Sequence, residues 1–368
     1  MELKEIKFTI IVFSYNGEMF LHQCIDSLIN QTRDISDVEI LIIDDTSKDS
    51  SIEIIKNYQK KYPKIIRLIL NDEWSRDTKK SNRNKGVLSA KGKYILFCDQ
   101  DDWYEENTLE RLESYIDQCP DIDYIEYNYI NNYEATGVKE VKRGRVEDFH
   151  IYEIKNETDR IDLALEDILP GATFAWNKIY NRNFLIKNNI HHNELSQYTG
   201  FSDNFFSGLL VTHCTKFGKL DEAFYNYRIY KGSYSHDTAV NSKVQLERCK
   251  VANVYLQECK RRGTLKNNPE FIEYIYFRTY LLKTFWKFLL QYDPIPYEIL
   301  MLMKSTICSQ FCQYRKNVIM ATKQELVLLF DILDQNWTEK YLDTLKIDMK
   351  KKIETDNKIL KHLYLNNI

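Results

Sequence analysis

Glycine and proline are scarce in this chain of 368 residues, which contains 11 glycines and 6 prolines. So few helix and strand breakers argue against a collagen-like, a linker-rich or a propeller-like chain. The eight cysteines include no Cys-x-x-Cys pair and no Cys/His spacing typical of a zinc site. We therefore expect free thiols in a protein from a reducing compartment.

Long apolar runs are also lacking, since none approaches the ~20 residues that a membrane-spanning helix needs. The opening segment, MELKEIKFTIIVF, mixes acidic with basic residues and lacks the features of a signal peptide. Hydrophobic residues make up 43% of the chain and charged residues 29%, which excludes wholesale disorder. We expect a cytoplasmic protein, with peripheral contact at the inner face of the cell membrane as an open alternative.

The charges divide unevenly along the chain. Residues 1–240 contain 30 basic and 40 acidic residues, whereas residues 241–368 contain 21 basic and 14 acidic residues. Beyond residue 241 the apolar residues recur at helical spacing. These changes predict two domains, an α/β domain over 1–240 and an all-α domain over 241–368.

Strand-like and helix-like segments alternate in the first hundred residues. Buried strands are predicted at 7–13, 38–43, 65–70 and 93–98, with helices between them. This alternation predicts a parallel sheet, whose ligands bind at the carboxyl ends of the strands. Polar residues follow each strand: Tyr15-Asn16, Asp44-Asp45, Asn71-Asp72 and the acidic segment 99–102. These side chains should therefore converge on one edge of the sheet.

The segment Asp99-Gln100-Asp101-Asp102 is the sharpest feature of this edge. Carboxylates crowded at a strand end repel one another unless a cation lies among them. A divalent metal ion fits, because hard cations take oxygen ligands and often combine one or two carboxylates with substrate phosphates. The alternative is that Asp101 and Asp102 cap a helix that begins near Glu105.

Several segments together resemble a known family. They are TIIVFSYN, Asp44-Asp45 with TSKDSS, the stretch 82–86 (NRNKG) and YILFCDQDDW, followed by 176–180 (WNKIY), 201–206 (FSDNFF), 225–228 (YNYR) and Gly232-Ser233. Their order and spacing are similar to those of family 2 inverting glycosyltransferases of the GT-A fold, over about residues 6–236. The later segments look like the acceptor-side blocks of that family. The resemblance implies a Rossmann-like, mostly parallel sheet with helices on both faces.

The resemblance also implies roles for individual residues in binding a nucleoside diphosphate sugar. The residues expected at the nucleotide are Phe13 and Tyr15 at the nucleoside, Asp44 and Asp45 at the base, and Asn71 and Arg83 elsewhere on the nucleotide. Asp99 is expected at the ribose or a metal-bound water, with Gln100 beside it. Asp101 is expected as the direct metal ligand, and Arg228 over the diphosphate. The implied metal ion is Mn²⁺ or Mg²⁺, and the implied donor is a UDP-sugar. The metal ion would assist departure of the nucleoside diphosphate.

Asp203 corresponds to the general base of the family. This carboxylate would take the proton of an acceptor hydroxyl on a glycan, a polyol phosphate or a lipid-linked precursor of a bacterial surface polymer. The alternative from the residues alone is that Asp203 caps a short helix. A nucleotidyltransferase and a non-catalytic nucleotide- or glycan-binding module also remain as alternative functions, and no nucleic-acid partner is expected.

Three residues depart from the family pattern. Phe13 stands where the family usually has proline, Thr46 where it has glycine, and Ser202 where it has glutamate before the base. The last change removes a like charge from beside the candidate base.

The helical domain has two interpretations. The segment 271–290 (FIEYIYFRTYLLKTFWKFLL) is apolar and aromatic nearly all round, so it is expected to be buried or to form a homo-oligomer interface. The alternative is a basic, aromatic surface that docks on anionic lipid or on a phosphate-bearing polymer.

Overall fold

The computed structural model describes residues 5–75, 81–142, 146, 148–171, 173–194, 202–232, 242–310 and 317–354. The chain forms two compact units: unit 1 consists of Met1–Lys155, Phe174–Gln197 and His213–Lys231, and unit 2 of Asn156–Thr173, Tyr198–Thr212 and Gly232–Ile368. Unit 2 thus takes 156–173, 198–212 and 232–240 from the predicted first domain. The functional division at residue 240 stays a prediction.

One mixed sheet forms the centre of unit 1. Its strands are β1 (Phe8–Ser14), β2 (Val38–Asp44), β3 (Ile66–Leu70), β4 (Tyr94–Asp99), β5 (Trp103–Tyr104), β6 (Tyr124–Tyr133), β7 (Val138–Lys142), β8 (His150–Glu153), β9 (Lys178–Asn181) and β10 (Lys216–Ile229). The main path runs β3-β2-β1-β4-β9-β6-β10-β5, with β7 paired to β6 and β8 to β10.

The first four strands are parallel, as the apolar runs predict. β1 lies between β2 and β4, so that Phe13 is level with Ile43 on one side and with Asp99 on the other. Every residue of β2 is buried, as expected for a strand whose sequence is mostly apolar. The parallel register brings the carboxyl ends of β1, β2, β3 and β4 to one edge of the sheet.

β7 and β8 form in a polar part of the chain that lacks apolar periodicity. β6 extends to Tyr133 and turns back as a hairpin into β7, and β8 pairs antiparallel with β10. Four of the five residues of β7 are exposed and the fifth is half-buried. An exposed edge strand of this kind carries polar side chains on both faces, so the apolar periodicity that reveals a strand is absent.

Helices make up the rest of the described secondary structure. Those before residue 230 are α1 (Leu21–Ile29), α2 (Ser51–Lys61), α3 (Asn82–Ser89), α4 (Thr108–Gln118), α5 (Glu157–Leu165), α6 (Arg182–Lys187) and α7 (Ser202–His213). Those of the C-terminal region are α8 (Ser242–Arg261), α9 (Thr264–Asn267), α10 (Pro269–Ile275), a π-helix (Tyr276–Leu282), α11 (Lys283–Gln291), α12 (Tyr297–Gln310), α13 (Val318–Thr322), α14 (Gln324–Leu333) and α15 (Glu339–Glu354).

The apolar segment 271–290 packs inside the helical region. Phe277 meets the ring of Phe330 at 5.1 Å, and Phe285 meets Trp337 at 5.5 Å. Burial of its aromatic residues favours the first interpretation of this segment, whereas oligomerisation and lipid docking stay predictions. Among the helices of the described ranges, none combines the length and apolar composition required to cross a bilayer.

Candidate nucleotide-binding site

A cleft of about 240 Å³ lies at the carboxyl ends of β1, β2 and β4. Its lining consists of Phe13, Ser14, Tyr15, Asp45, Asn82, Asp99, Gln100 and Asp101. Six of these residues are in the predicted set, and they come from three separate segments of the chain. The parallel register is what brings them together.

Asp44 and Asp45 have different surroundings although they are neighbours. Asp44 is completely buried, and its carboxylate accepts hydrogen bonds from the amide (2.9 Å) and hydroxyl (2.6 Å) of Ser47. Asp45 lines the cleft. Asp44 therefore shapes the loop after β2, and Asp45 is the member of the pair that a ligand could reach.

A hydrogen-bond network holds Asp45 in place. Its Oδ1 accepts from Nδ2 of Asn71 at 2.8 Å and from the amide of Ser75 at 2.9 Å, and its Oδ2 accepts from the Ser75 hydroxyl at 2.7 Å. Asn71 also donates to Asn82 and accepts from Lys85. Asn71 thus acts on the cleft through Asp45 and Asn82, both of which line it.

Phe13, Arg83 and Asp99 form a second group. The guanidinium of Arg83 lies 5.3 Å from the centre of the Phe13 ring and donates to Asp99 Oδ1 at 3.0 Å. An arginine fork can bind phosphate as readily as carboxylate. Arg83 therefore lies beside the cleft, where a phosphate group could replace the Asp99 carboxylate as its partner.

Gln100 fixes the main chain of Tyr15. Its Oε1 accepts from the Tyr15 amide at 2.8 Å, and its Nε2 donates to the Tyr15 carbonyl at 3.0 Å. A Cβ atom on Gly17 would lie 2.1 Å from the same Oε1, so glycine is required for this approach. The Tyr15 ring stacks on Trp74 at 5.5 Å, and 41% of Tyr15 is exposed. Trp74 is not among the residues that the sequence predicts at this site.

Asp101 and Asp102 point into different environments. Burial raises the pKa of the half-buried Asp101 carboxyl, although a hydrogen bond from Tyr230 (3.2 Å) and the charge of Arg228 oppose the shift. Burial also raises the pKa of Asp102 well above its usual range, and the charges of Asp101 and Asp99 add to the effect. Asp101 lines the cleft, whereas only 2% of Asp102 is exposed.

The helix-capping alternative for these acids is wrong. α4 begins at Thr108, with Asn107 as its N-cap residue. Asp102 instead accepts hydrogen bonds from the hydroxyl of Tyr225 and the amide of Arg228, both at 2.7 Å. These partners follow Asp102 by more than 120 residues, so local sequence patterns could not have revealed them.

Arg228 lies beside Asp101 in a closely packed position. Its Nε donates to the Asp101 carbonyl at 2.6 Å, and the guanidinium lies between the rings of Phe20 (5.0 Å) and Trp103 (4.8 Å). Its remaining nitrogens donate to Gln23 and Glu134. Contact with a diphosphate stays a prediction for this residue.

The predicted metal ligands Asp99 and Asp101 share the cleft. Within the described ranges, no set of three or more His, Cys, Asp or Glu side chains converges so that it could hold a metal ion. Two carboxylates nevertheless fit a Mg²⁺- or Mn²⁺-like ion that takes its other ligands from phosphate oxygens and water. The donor set therefore suits a metal ion that arrives with a diphosphate.

Asp203 belongs to unit 2. It is the second residue of α7 and is half-buried. A negative charge in the first turn of a helix is favourable whatever else the residue does. Its assignment as a general base stays a prediction.

Residues 9–186, which contain all eight residues that line this cleft, match the family model described as glycosyl transferase family 2. Residues 9–186 therefore form a glycosyl transferase family 2 domain. The predicted family is thereby confirmed. The match ends before Asp203 and Arg228, so it does not assign their roles.

Individual relatives of the family 2 domain come from bacteria. EpsH of Bacillus subtilis (strain 168) is 28% identical over 226 residues, which is 61% of this chain and 61% of EpsH. A poly(ribitol-phosphate) beta-glucosyltransferase of Bacillus spizizenii is 38% identical over 106 residues, which is 29% of this chain and 16% of that protein. The chain thus spans less than two thirds of either relative.

The fold also matches a solved structure. TarS 1–349 of S. aureus, crystallised with UDP-GlcNAc, superposes with a TM-score of 0.57 at 17% identity, covering 88% of this chain and 92% of that one. At this identity the likeness shows the fold alone. The predicted class, a GT-A-like α/β sheet with a helical C-terminal region, is confirmed.

Proposed function

We propose that this protein transfers a sugar from a nucleoside diphosphate donor to a hydroxyl group, with inversion at the anomeric carbon. The observation that carries the proposal is the cleft itself, in a family 2 domain, where Asp45, Asp99 and Asp101 meet beside Phe13 and Tyr15. Ligands of parallel α/β sheets bind at this edge. The aromatic side chains suit a nucleoside and the acidic ones suit a metal-bound diphosphate.

Asp45 is the residue that reads the base. Its two oxygens are oriented by Asn71 and Ser75, and a pre-oriented carboxylate discriminates strongly against a base that lacks the matching donor. The N3–H of uracil is such a donor, which supports UDP as the nucleotide. The relative solved with UDP-GlcNAc points to the same nucleotide.

Asp101 and Asp99 would hold a divalent metal ion beside the donor diphosphate. Once bound, the ion would offset the negative charge of the departing nucleoside diphosphate. Arg83 and Arg228 supply fixed positive charge at the same edge of the sheet, and Arg83 exchanges its Asp99 contact for a phosphate oxygen.

Asp203 acts as the general base. The acceptor oxygen forms the new bond to the anomeric carbon while the bond to the leaving phosphate breaks, and the hydroxyl proton moves to the Asp203 carboxylate. Base assistance of this kind accelerates transfer by about 10²–10⁴-fold.

The acceptor is a hydroxyl of a bacterial surface glycan or polyol phosphate. This assignment is supported by the relative named for poly(ribitol-phosphate) glucosylation. The domain over 241–368 positions the acceptor or pairs two subunits, at a location that is cytoplasmic or peripheral to the membrane.

Product analysis tests the reaction class. The protein is incubated with a panel of UDP- and GDP-sugars and Mn²⁺, and we expect slow hydrolysis that releases UDP from a UDP-sugar. Release of pyrophosphate from UTP and a sugar phosphate would instead indicate a nucleotidyltransferase. Failure to bind or cleave any nucleotide sugar would contradict the proposal.

The base assignment is tested by Asp203→Asn. We expect transfer to fall by at least about 10²-fold, while UDP binding in a calorimetric titration changes by less than about twofold. Asp162→Asn, an exposed aspartate on α5, is the matched control and should transfer normally. Loss of UDP binding with retained transfer would refute the role of Asp203.

A further inference from the structure

A hydrogen-bonded chain joins the end of β4 to β10. The amide of Asp99 donates to the hydroxyl oxygen of Tyr225 at 3.0 Å, and this hydroxyl donates to Asp102 Oδ2 at 2.7 Å. The other oxygen of Asp102 accepts from the amide of Arg228 at 2.7 Å. Asp99, Asp102 and Arg228 are thus connected by hydrogen bonds through the hydroxyl group of Tyr225.

The direction of this chain is fixed by its donors. Backbone amides can only donate, so the Tyr225 oxygen accepts from Asp99 and its single proton must go to Asp102. Tyr225 is completely buried, and its ring stacks on Trp176 at 4.4 Å and meets Tyr104 edge-on at 5.2 Å. The ring cannot easily reorient, so the position of the hydroxyl is set by packing.

We propose that Tyr225 is a positioning residue that, through its hydroxyl, sets the separation of Asp99 and Asp101 from Arg228 and so determines how tightly the metal-bound diphosphate is held. Tyr225 is completely buried, and the residues that line the cleft do not include it. Its hydroxyl holds the acidic turn on both sides of Asp101, through the main-chain amide of Asp99 and the side-chain carboxylate of Asp102. This inference rests on the proposed function, because it assigns a role within the same donor site.

Two features separate this role from simple packing. The ring of Tyr225 contributes to the aromatic core, whereas only its oxygen reaches the acidic turn. The base-reading residue Asp45 is held instead by hydrogen bonds from Asn71 and Ser75. Removing the hydroxyl should therefore affect the diphosphate and not the nucleoside.

The test is Tyr225→Phe, which keeps the ring and removes the oxygen. Calorimetric titrations with UDP plus Mn²⁺ and with uridine alone are compared with the wild type, and kcat and KM are measured for the donor. We expect UDP–Mn²⁺ to bind about tenfold more weakly, as loss of a charge-assisted hydrogen bond implies. Uridine binding should change by less than about twofold.

Tyr127→Phe is the matched control. Tyr127 is equally buried, and its hydroxyl bonds to Tyr104 and to the carbonyl of Trp176 at 2.8 Å. This variant should lose similar thermal stability while binding UDP–Mn²⁺ as the wild type does. Equal weakening of uridine and UDP–Mn²⁺ by Tyr225→Phe, or equal effects of the two variants, would overturn the inference in favour of a purely structural role.

Asp102→Asn provides a second perturbation of the same chain. Both partners of Asp102 are donors, so an asparagine carbonyl can accept from only one of them, and the amide group faces the other. We expect the same selective loss, and no further loss in the double variant Asp102→Asn/Tyr225→Phe. If wild-type protein bound no nucleotide, the proposed function and this inference would both fall; wild-type binding with an unaffected Tyr225→Phe variant would overturn the inference alone.

Discussion

The contact between Gly17 and Gln100 leads to a sharp prediction about the nucleoside side of the cleft. A methyl group at Gly17 would approach Gln100 Oε1 to 2.1 Å and Cδ to 2.4 Å. Gln100 has a flexible side chain, so in Gly17→Ala it moves away and gives up both hydrogen bonds to Tyr15. The backbone of Gly17 itself needs no adjustment.

The size of the effect follows from these two bonds. Each contributes about 0.5–1.5 kcal/mol, and both lie near the surface, so we expect a stability loss of about 1 kcal/mol. Tyr15 lines the cleft, and loosening it should weaken UDP binding by about tenfold. Calorimetric titration with UDP and Mn²⁺, together with thermal unfolding, measures both effects.

A double-variant cycle identifies the mechanism. Gly17→Ala, Gln100→Ala and the combination should all weaken UDP binding equally, because each removes the same two bonds once. Gln118→Ala, which removes an exposed side chain bonded to its own helix, should bind UDP normally. Additive losses in the double variant would refute the steric reasoning.

Two other predictions concern stability. Thr46 has a φ of 68°, which is a strained conformation for a β-branched residue. Thr46→Gly should therefore raise the free energy of unfolding, measured by urea titration, by up to about 1 kcal/mol. A lower free energy of unfolding would contradict the strain. Burial would raise the pKa of Glu126, but the charges of Lys219 and Lys178 lower it below its usual value. This carboxylate therefore stabilises the fold at pH values above its unfolded pKa of about 4.3, and the contribution is lost as the pH falls through the folded pKa. Glu126→Gln should destabilise the protein by about 3–5 kcal/mol at pH 7 and flatten the acid dependence of thermal unfolding. Glu106→Gln, at an exposed position, should do neither, and an unchanged acid dependence in Glu126→Gln would refute the assignment.

The parallel half of the sheet was predictable because its strands are buried on both faces. β1 and β2 are continuous apolar runs, and the polar residues that follow them necessarily meet at one edge. β7 and β8 escaped prediction because mostly exposed strands carry no apolar periodicity. Strand pairing, not local composition, decides their structure.

The sequence predicts which residues lie at the candidate site better than it predicts what each of them contacts there. Asp44 and Asp45 are equivalent in the sequence, yet one is enclosed by Ser47 and the other lines the cleft. Asp102 receives its partners from β10, and Trp74 reaches Tyr15 through a loop. Contacts of this kind depend on tertiary packing between distant segments, which a single sequence does not reveal.

A crystal structure with UDP and Mn²⁺ tests the central claim most directly. We expect uracil beside Asp45, Phe13 and Tyr15, with the metal ion bridging the diphosphate to Asp101 or Asp99. Density for UDP away from the carboxyl ends of β1, β2 and β4, or a diphosphate and metal ion out of reach of both Asp99 and Asp101, would contradict the account.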